Sequence, residues 1–435
     1  MSAYLSWGRY PKITPAAIHP IHWMDEPLPS SSYSLLPYGN GRSYGDSCLN
    51  EGGAVLDMRG LNRILNFDRS TGVLRCEAGV LLADILSLVV PMGWFLPVTP
   101  GTRFVTVGGA IANDVHGKNH HRTGTFGQHV LRFALRRSDQ EGIVCCSPEE
   151  SKELFRATVG GLGLTGAIVW ADIQLRQIAN SAVDSETIRF ANLRAFFDLS
   201  AESDYDYEYT VAWIDCLARG KSLGRGLFMR GNHAAPQVKL PRPAEKIRSF
   251  PMEMPFPLVN AWSLRAFNSL YYRKQLPALR RTISHYEPFF YPLDGILHWN
   301  RLYGRRGFLQ YQCVVPPESA SESVSALLET IAMAKSGSFL AVLKMFGGHV
   351  SPGLLSFPRP GATLALDFPN QGQRTLDLLN NLDKIVAACG GAVYPAKDAR
   401  MSGKSFRQYF PRWEQFQPFI DPHFSSSFWR RVMRT

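Results

Sequence analysis

Two glycine-rich stretches and a few basic side chains hold most of the chemistry this chain could do. The first stretch, PYGNGRSYGDS (37–47), alternates small residues with one arginine. Successive backbone N–H groups in such a turn form an anion-binding nest. It is not a P-loop, because no Gly-Lys-Ser/Thr follows. Nor is it a dinucleotide fingerprint. Gly39 and Gly41 fit G-x-G-x-x-G, but Tyr44 stands where the third glycine belongs. The second stretch, TPGTRFVTVGGAIANDVHGKNHHRTGTFG (99–127), holds several glycines with His116, Lys118, His120 and His121. These histidines lack the i, i+4 pair plus acid of a helical zinc site, so structural roles or cofactor contacts are preferred to a metal. Glycine this dense lets backbone close on a large planar or phosphorylated ligand.

Such loops must be carried by regular elements. AVLDM (54–58) and VLRCEAGV (73–80) read as strands, and 81–90 as a helix stopped by Pro91. TPGTR (99–103), 107–121 and VGGLGLTGAIV (159–169) read as glycine-rich turns. Near residue 181 the texture changes: aromatics become frequent and glycine turns thin out. FLQYQCVVP (308–316) alternates like a half-buried strand. Residues 321–335 predict a helix capped by Ser321, with Val324, Leu327, Leu328 and Ile331 on one face. A strand over 338–346 follows, then a second helix over 375–389 ended by Gly390 and Gly391. A helix between two strands, twice over, predicts an α+β domain with an antiparallel sheet.

Composition sets wide bounds. The chain has 435 residues, 45% hydrophobic and 19% charged, an ordinary globular balance. Lys plus Arg number 47 against 36 acids, a formal charge of +11. That excess suits an anionic ligand or membrane face, or simply a basic surface. Seven cysteines without zinc or disulfide spacing point to a reducing compartment. No secretory h-region and no spanning helix is read, because prolines and glycines interrupt the long uncharged run 85–102. A basic nucleic-acid binder finds no helix–turn–helix, zinc-finger or RNP pattern in support. The tail FIDPHFSSSFWRRVMRT (419–435) reads as a helix docked on the first domain, or as a contact with anionic lipid.

GNGRSYGD, PGTRFVTVGGAIANDVHGKNHH and ATVGGLGLTGAI (157–168), in this order, resemble the flavin-binding segments of vanillyl-alcohol-oxidase-type FAD proteins. Within that superfamily the chain is similar to the decaprenylphosphoryl-ribose 2′-oxidases. The similarity extends through HWNRLYGRRGFLQYQ (298–312), LKMFG (343–347), LSFPRPG and LDFP (355–369), YPAKDAR (394–400) and YFPRW (409–413). It implies an α+β fold: a two-part FAD-binding domain plus a cap, or substrate, domain with an antiparallel sheet. The expected boundaries are 1–180, 181–391, and a segment 392–435 that returns to the FAD-binding domain.

The resemblance also implies residue roles. The pyrophosphate loop maps onto Gly39, Asn40, Gly41, Arg42, Ser43, Tyr44, Gly45, Asp46 and Ser47. Other flavin-contacting positions map onto Gly101, Thr106, Val107, Gly108, Gly109, Asn113, Asp114, Val115, His116, Ile168 and Tyr394. Many relatives attach FAD through a histidine in the first loop. Tyr44 holds that place here and no cysteine adjoins His116, which implies non-covalent FAD. Lys397 matches a lysine beside the flavin, where an ammonium would stabilise negative charge developing on the reduced ring. The base for the hydroxyl proton is left among His116, Lys118, Tyr44 and Lys397. Tyr303, Gln310, Gln312, Lys344, Thr363, Ala365 and Lys397 match substrate-pocket positions. Two of these depart from the pattern. Ala365 stands where the mycobacterial form has the cysteine attacked by covalent nitroaromatic inhibitors, and Thr363 replaces an asparagine. The implied substrate is a polyprenyl-phosphate pentose, oxidised at its 2′ hydroxyl for a short-chain NADH-dependent partner reductase. The implied setting is cytoplasmic, peripheral at the inner face of the membrane. An alditol or sugar-lactone oxidase of the same superfamily is the other enzymatic reading.

Overall fold

The computed structural model describes residues 4–238, 248–250, 252 and 259–434. Three sheets position the site. A small parallel sheet pairs Ala17–Pro20 and Leu35–Tyr38 on either side of Ala54–Asp57. A five-stranded antiparallel sheet runs Ile64–Asp68, Val73–Glu77, Ala167–Gln174, Val130–Arg136, Val144–Cys146. The helix Leu82–Val89 buries Leu82, Ile85, Leu86 and Val89, an i, i+3, i+4, i+7 stripe, into the core of this second unit.

One expected turn is a helix. Val107–Ala112 is helical despite Gly108 and Gly109, because the Thr106 Oγ1 accepts the Gly109 N–H at 3.2 Å. A side-chain cap is worth about 1 kcal/mol, comparable to the cost of one helical glycine. Burial of Val107, Ala110 and Ile111 supplies the remainder.

The third sheet belongs to the cap. Its eight strands follow the order Leu279–His285, Ala182–Phe190, Gly226–His233, Tyr209–Ile214, Val342–Phe346, Gly361–Pro369, Phe308–Val315, Ala392–Val393. All neighbours are antiparallel. Two expected elements differ in detail. The first cap-domain helix of the sequence reading is Ala320–Ala334, entered through the 3-10 turn Pro317–Ser319, so Ser321 lies inside it and does not cap it. The strand expected over 338–346 covers Val342–Phe346, because the Ser338 hydroxyl accepts the Leu340 N–H and donates to its carbonyl, closing a local turn.

The C-terminal segment starts on the cap sheet, where Ala392–Val393 pairs with Val314 and Cys313, and then crosses to the first unit. The Leu35 N–H bonds the His423 carbonyl, and Arg431 forms ion pairs with Asp46 and Asp398. Trp429 packs edge-on against Phe406 and Phe416, and Arg430 donates to Asn50. The tail is therefore docked on protein, and Trp429, Arg430 and Arg431 are occupied there. No helix among the described residues is long and apolar enough to cross a membrane.

Candidate active site

Between the first two units and the cap sheet lies a cavity of about 980 Å³. The strand alternation explains its roof. Side chains two apart share one face of a sheet, and every long cap strand contributes such a set: Gln310 and Gln312, Thr363 and Ala365, Val342 and Lys344, Val211 and Trp213, Leu227 and Met229, Ser185 and Thr187, and Arg280, Thr282 and Ser284. The register sets Gln312 opposite Ala365, Ala365 opposite Val342, Val342 opposite Trp213, and Trp213 opposite Leu227. One sheet face thus passes from amides and a lysine through an apolar stretch to Ser185, Thr187, Arg280, Thr282 and Ser284 on the last two strands.

The floor comes from the glycine loops. Gly39 to Tyr44, Ser47, Gly101, Thr106, Gly108, Gly109, Asn113, Val115, His116, Lys118 and Ile168 line the cavity, with Tyr394 and Lys397 from the returning segment. A Cβ at Gly39 would overlap the Thr106 hydroxyl, so only glycine admits this approach of the two loops. Gly41 sits at φ +59°, the left-handed region that glycine occupies without strain. The cap clasps this floor: Asp294 accepts the Arg103 N–H at 2.8 Å, Arg103 pairs with Glu287, and Tyr291 meets the Thr99 hydroxyl at 2.6 Å.

Five expected contact residues do not face the cavity. Gly45 is packed against the Asp398 carbonyl, and Asp46 is spent on Arg431. Val107 is a core residue whose N–H already bonds Val80. Asp114 is buried and accepts from Gly127 N–H, Ser351 and Ser356, which ties the loop 351–356 to the second glycine-rich stretch. Tyr303 stacks on Phe308 at 4.4 Å, and Phe308 lies edge-on to Tyr44, so Tyr303 supports the wall from behind.

The polar end is crowded with cations out of water. The Lys397 ammonium lies 3.8 Å from the Tyr44 ring centroid, a cation–π contact. Burial lowers Lys397 to about 7, opposed by the charge of Asp367. Lys344 Nζ donates to the Gly117 carbonyl at 2.7 Å and is lowered to about 7 by burial, then by Lys118 and Lys397. Lys118 Nζ donates to the Phe290 carbonyl at 3.1 Å, and burial takes it to about 8. His116 is held neutral by burial and by Lys344; its Nε2 lies 3.0 Å from Gln312 Nε2. His116 and His120 both pack on Phe346, at 4.8 and 4.3 Å, while His121 turns away to bond the Tyr207 carbonyl.

Asp367 is a residue the sequence reading passed over, although it stands in the quoted LDFP segment. It is buried, accepts from Gln310 Nε2 at 2.7 Å, and is raised to about 7 by burial. Its signal was a charged residue at an inward position of a strand, which needs a partner. Asp294 and Trp7, which stacks on the Arg42 guanidinium at 4.1 Å, were also missed, because both come from segments distant in sequence.

The floor fits FAD. Arg42 Nε, Ser47 Oγ and His116 Nδ1 border the cavity as buried polar atoms with no hydrogen-bond partner among the described residues. Such atoms are costly unless a ligand satisfies them. Around them lie Gly39, Gly101, Gly108 and Gly109, where no side chain bars a large ligand.

Comparison with known proteins agrees. Residues 29–143 match the family model described as FAD binding domain. The chain is 37% identical to decaprenylphosphoryl-β-D-ribose oxidase of Mycolicibacterium smegmatis, over 92% of this chain and 89% of that protein. It is 33% identical to an uncharacterized protein of Streptomyces coelicolor, over 81% of this chain and all of that one. Human Δ(24)-sterol reductase is 31% identical over 27% of this chain and 23% of its own length. A floor suited to FAD, joined to near full-length similarity, settles the assignment: the chain belongs to the decaprenylphosphoryl-ribose oxidase family and is an FAD-dependent oxidoreductase.

Proposed function

We propose that the protein oxidises the 2′ hydroxyl of a polyprenyl-phosphate pentose. The keto-sugar then passes to a separate short-chain NADH-dependent reductase, for net epimerisation toward an arabinose donor. One observation carries this reading: a single sheet face joins a polar end, Gln310, Gln312, Thr363 and Lys344, to an apolar stretch, Val342, Trp213, Leu227 and Met229, before Ser185, Thr187 and Arg280 follow on the last strands. A ring of hydroxyls with a phosphate suits the polar end, and a prenyl chain suits the apolar stretch. A free alditol or sugar lactone would leave the apolar stretch unused.

When bound, FAD supplies the hydride acceptor. The chain supplies the rest. Gln310, Gln312 and Thr363 present amide and hydroxyl groups to the sugar. Lys397 places positive charge at the polar end, where reduction creates negative charge. The hydroxyl proton needs a base. Tyr44 keeps its own proton, because burial and then Asp367 push its phenol well above the ordinary value. Neutral His116 and the amine of Lys118 remain able to accept, whereas Lys397 accepts only where it enters the reaction as the free amine and not as the cation. Tyr44 in place of the first-loop histidine supports FAD held without a covalent bond. Acid precipitation that left the flavin on the protein would refute that part.

The substrate reading is tested by anaerobic flavin bleaching with polyprenyl-phosphate sugars and free alditols. Bleaching by the phospholipid sugars is expected. Bleaching by alditols alone would sink the reading. A membrane-borne substrate also implies peripheral association with the inner face of the cell membrane.

A further inference from the structure

We propose that the helix Ala261–Lys274 and the edge strand Leu279–His285 form the face by which this protein lies on an anionic lipid bilayer. The proposal rests on the membrane-borne substrate above and adds the surface that meets the membrane.

The described residues concentrate exposed apolar side chains here. Trp262 is 80% exposed, Leu270 71% and Leu276 82%, and at the sheet edge Leu279 and Ile283 are exposed on the side opposite to the cavity-lining Arg280, Thr282 and Ser284. Scattered exposed apolar residues are ordinary, but a cluster in one short stretch marks an interaction surface. The charge agrees in sign with an anionic partner. Residues 254–286, between Glu253 and Glu287, contain Arg265, Arg273, Lys274, Arg280 and Arg281 and no Asp or Glu. Of these, Arg281 is paired with Glu186.

The helix separates its two faces by the 3.6-residue period. Leu264 and Asn268 point inward, Asn268 donating to Asp215 at 2.9 Å, and Tyr271 packs on Trp213 at 4.7 Å. Trp262, Arg265, Leu270 and Arg273 lie on the outer side. Aromatic and basic residues mixed on one exposed helical face suit the headgroup region, where the ring sits at the interface and the cations meet lipid phosphates. Position completes the argument. Phe267, Tyr271, Lys274 and Arg280 line the cavity, so the same helix and strand form its cap end. A prenyl chain leaving a bilayer under this face would enter past Phe267 and Tyr271 toward Trp213, with Arg280, Thr282 and Ser284 beside it. The C-terminal tail, the other basic aromatic element, is engaged by Asp46, Asn50 and Asp398.

The experiment is co-sedimentation of the FAD-loaded protein with vesicles of phosphatidylcholine alone and of phosphatidylcholine with phosphatidylglycerol at roughly 3:1, at low and high salt. Binding is expected on the anionic vesicles at low salt. Roughly tenfold weaker binding is expected for the double variant R265Q/R273Q and for the triple variant W262S/L270S/L276S. None of these five side chains lines the cavity. Retained flavin absorbance reports that the variants are folded, and the tail variant R434Q should bind like the parent. Equal binding by parent and surface variants, or no binding by the parent at low salt, overturns the proposal. A dimer in solution that the triple variant abolishes, without vesicle binding, assigns the face to a second copy and overturns it too. The substrate reading fails separately, if polyprenyl-phosphate sugars leave the flavin oxidised while vesicle binding persists.

Discussion

The Lys397 ammonium stands 3.8 Å from the centre of the Tyr44 ring. The two residues are 353 positions apart, and the Tyr44 N–H donates to the Ala396 carbonyl at 2.8 Å. The first glycine loop and the returning segment are thus sewn together beside the Lys397 cation. A cation over an aromatic face keeps part of its charge stabilised out of water.

Replacing Lys397 by glutamine keeps a polar side chain and removes the charge. Anaerobic flavin reduction should slow by roughly 10²–10³-fold, the order found when one electrostatic contact to a developing anion is lost. Flavin content should be unchanged. A variant that reduces its flavin at the parental rate would remove Lys397 from the reaction.

Asp367 should set the pH range of that charge. Its carboxylate raises Lys397 against the effect of burial. In Asp367→Asn the Lys397 ammonium loses its proton at lower pH, so the basic limb of the flavin-reduction profile should move toward acid. Gln310 still has a side-chain oxygen to meet in the variant. A limb that stays in place, measured by stopped-flow reduction across pH 6 to 9, refutes the coupling.

Lys344 predicts a stability effect with a definite sign. Its pKa falls from 10.5 to about 7 on folding. Between these values the unfolded chain binds the extra proton, so this group's contribution to stability rises with pH through the window. Below pH 7 both states are charged and the full burial cost remains. One proton is worth about 1.4 kcal/mol per pH unit. In urea unfolding of flavin-free protein at pH 7.5 and 9.5, the parent should gain roughly 2 kcal/mol relative to Lys344→Met. Parallel behaviour of the two proteins would show that Lys344 is not buried as a charge.

Gly45 and Arg431 should matter without touching the ligand. A Cβ at Gly45 would strike the Asp398 carbonyl, one residue after Lys397. Gly45→Ala should therefore lower flavin reduction more than it lowers stability, because it displaces the segment that carries Lys397. Arg431→Gln leaves Asp46 and Asp398 without their cation, at a cost of about 3 kcal/mol. Thermal unfolding with flavin fluorescence as the readout separates the two effects.

Ala365 puts a methyl group and no thiol on the cavity wall. Cys48 also borders the cavity, but burial pushes it up to about 12, so it carries no appreciable thiolate near neutral pH. Nitroaromatic inhibitors that act on a cysteine at this place should add no mass to the parent protein. They should add one equivalent to Ala365→Cys in the presence of a reducing substrate. Modification of the parent would show that another nucleophile faces the site.

Much of the site was legible because local rules act there. The alternation in FLQYQCVVP put Gln310 and Gln312 on one face before any sheet was known, since successive strand residues point to opposite sides. Spacing predicted both helices of the cap domain that follow residue 316, and ordered glycine motifs carried the resemblance to FAD proteins. The sequence by itself therefore determined the fold class, the flavin and the loops that meet it. Tertiary structure decided which members of those loops reach the ligand. Asp46, Asp114 and Tyr303 sit in matching motifs, yet each is claimed by a partner far along the chain: Arg431, Ser351 with Ser356, and Phe308. Asp367 reached the site's electrostatics the opposite way, through Gln310 and Lys397. A buried charge is resolved by whichever opposite or hydrogen-bonding group the fold brings within reach. That choice depends on the register of strands and the docking of the returning segment, which no local pattern encodes.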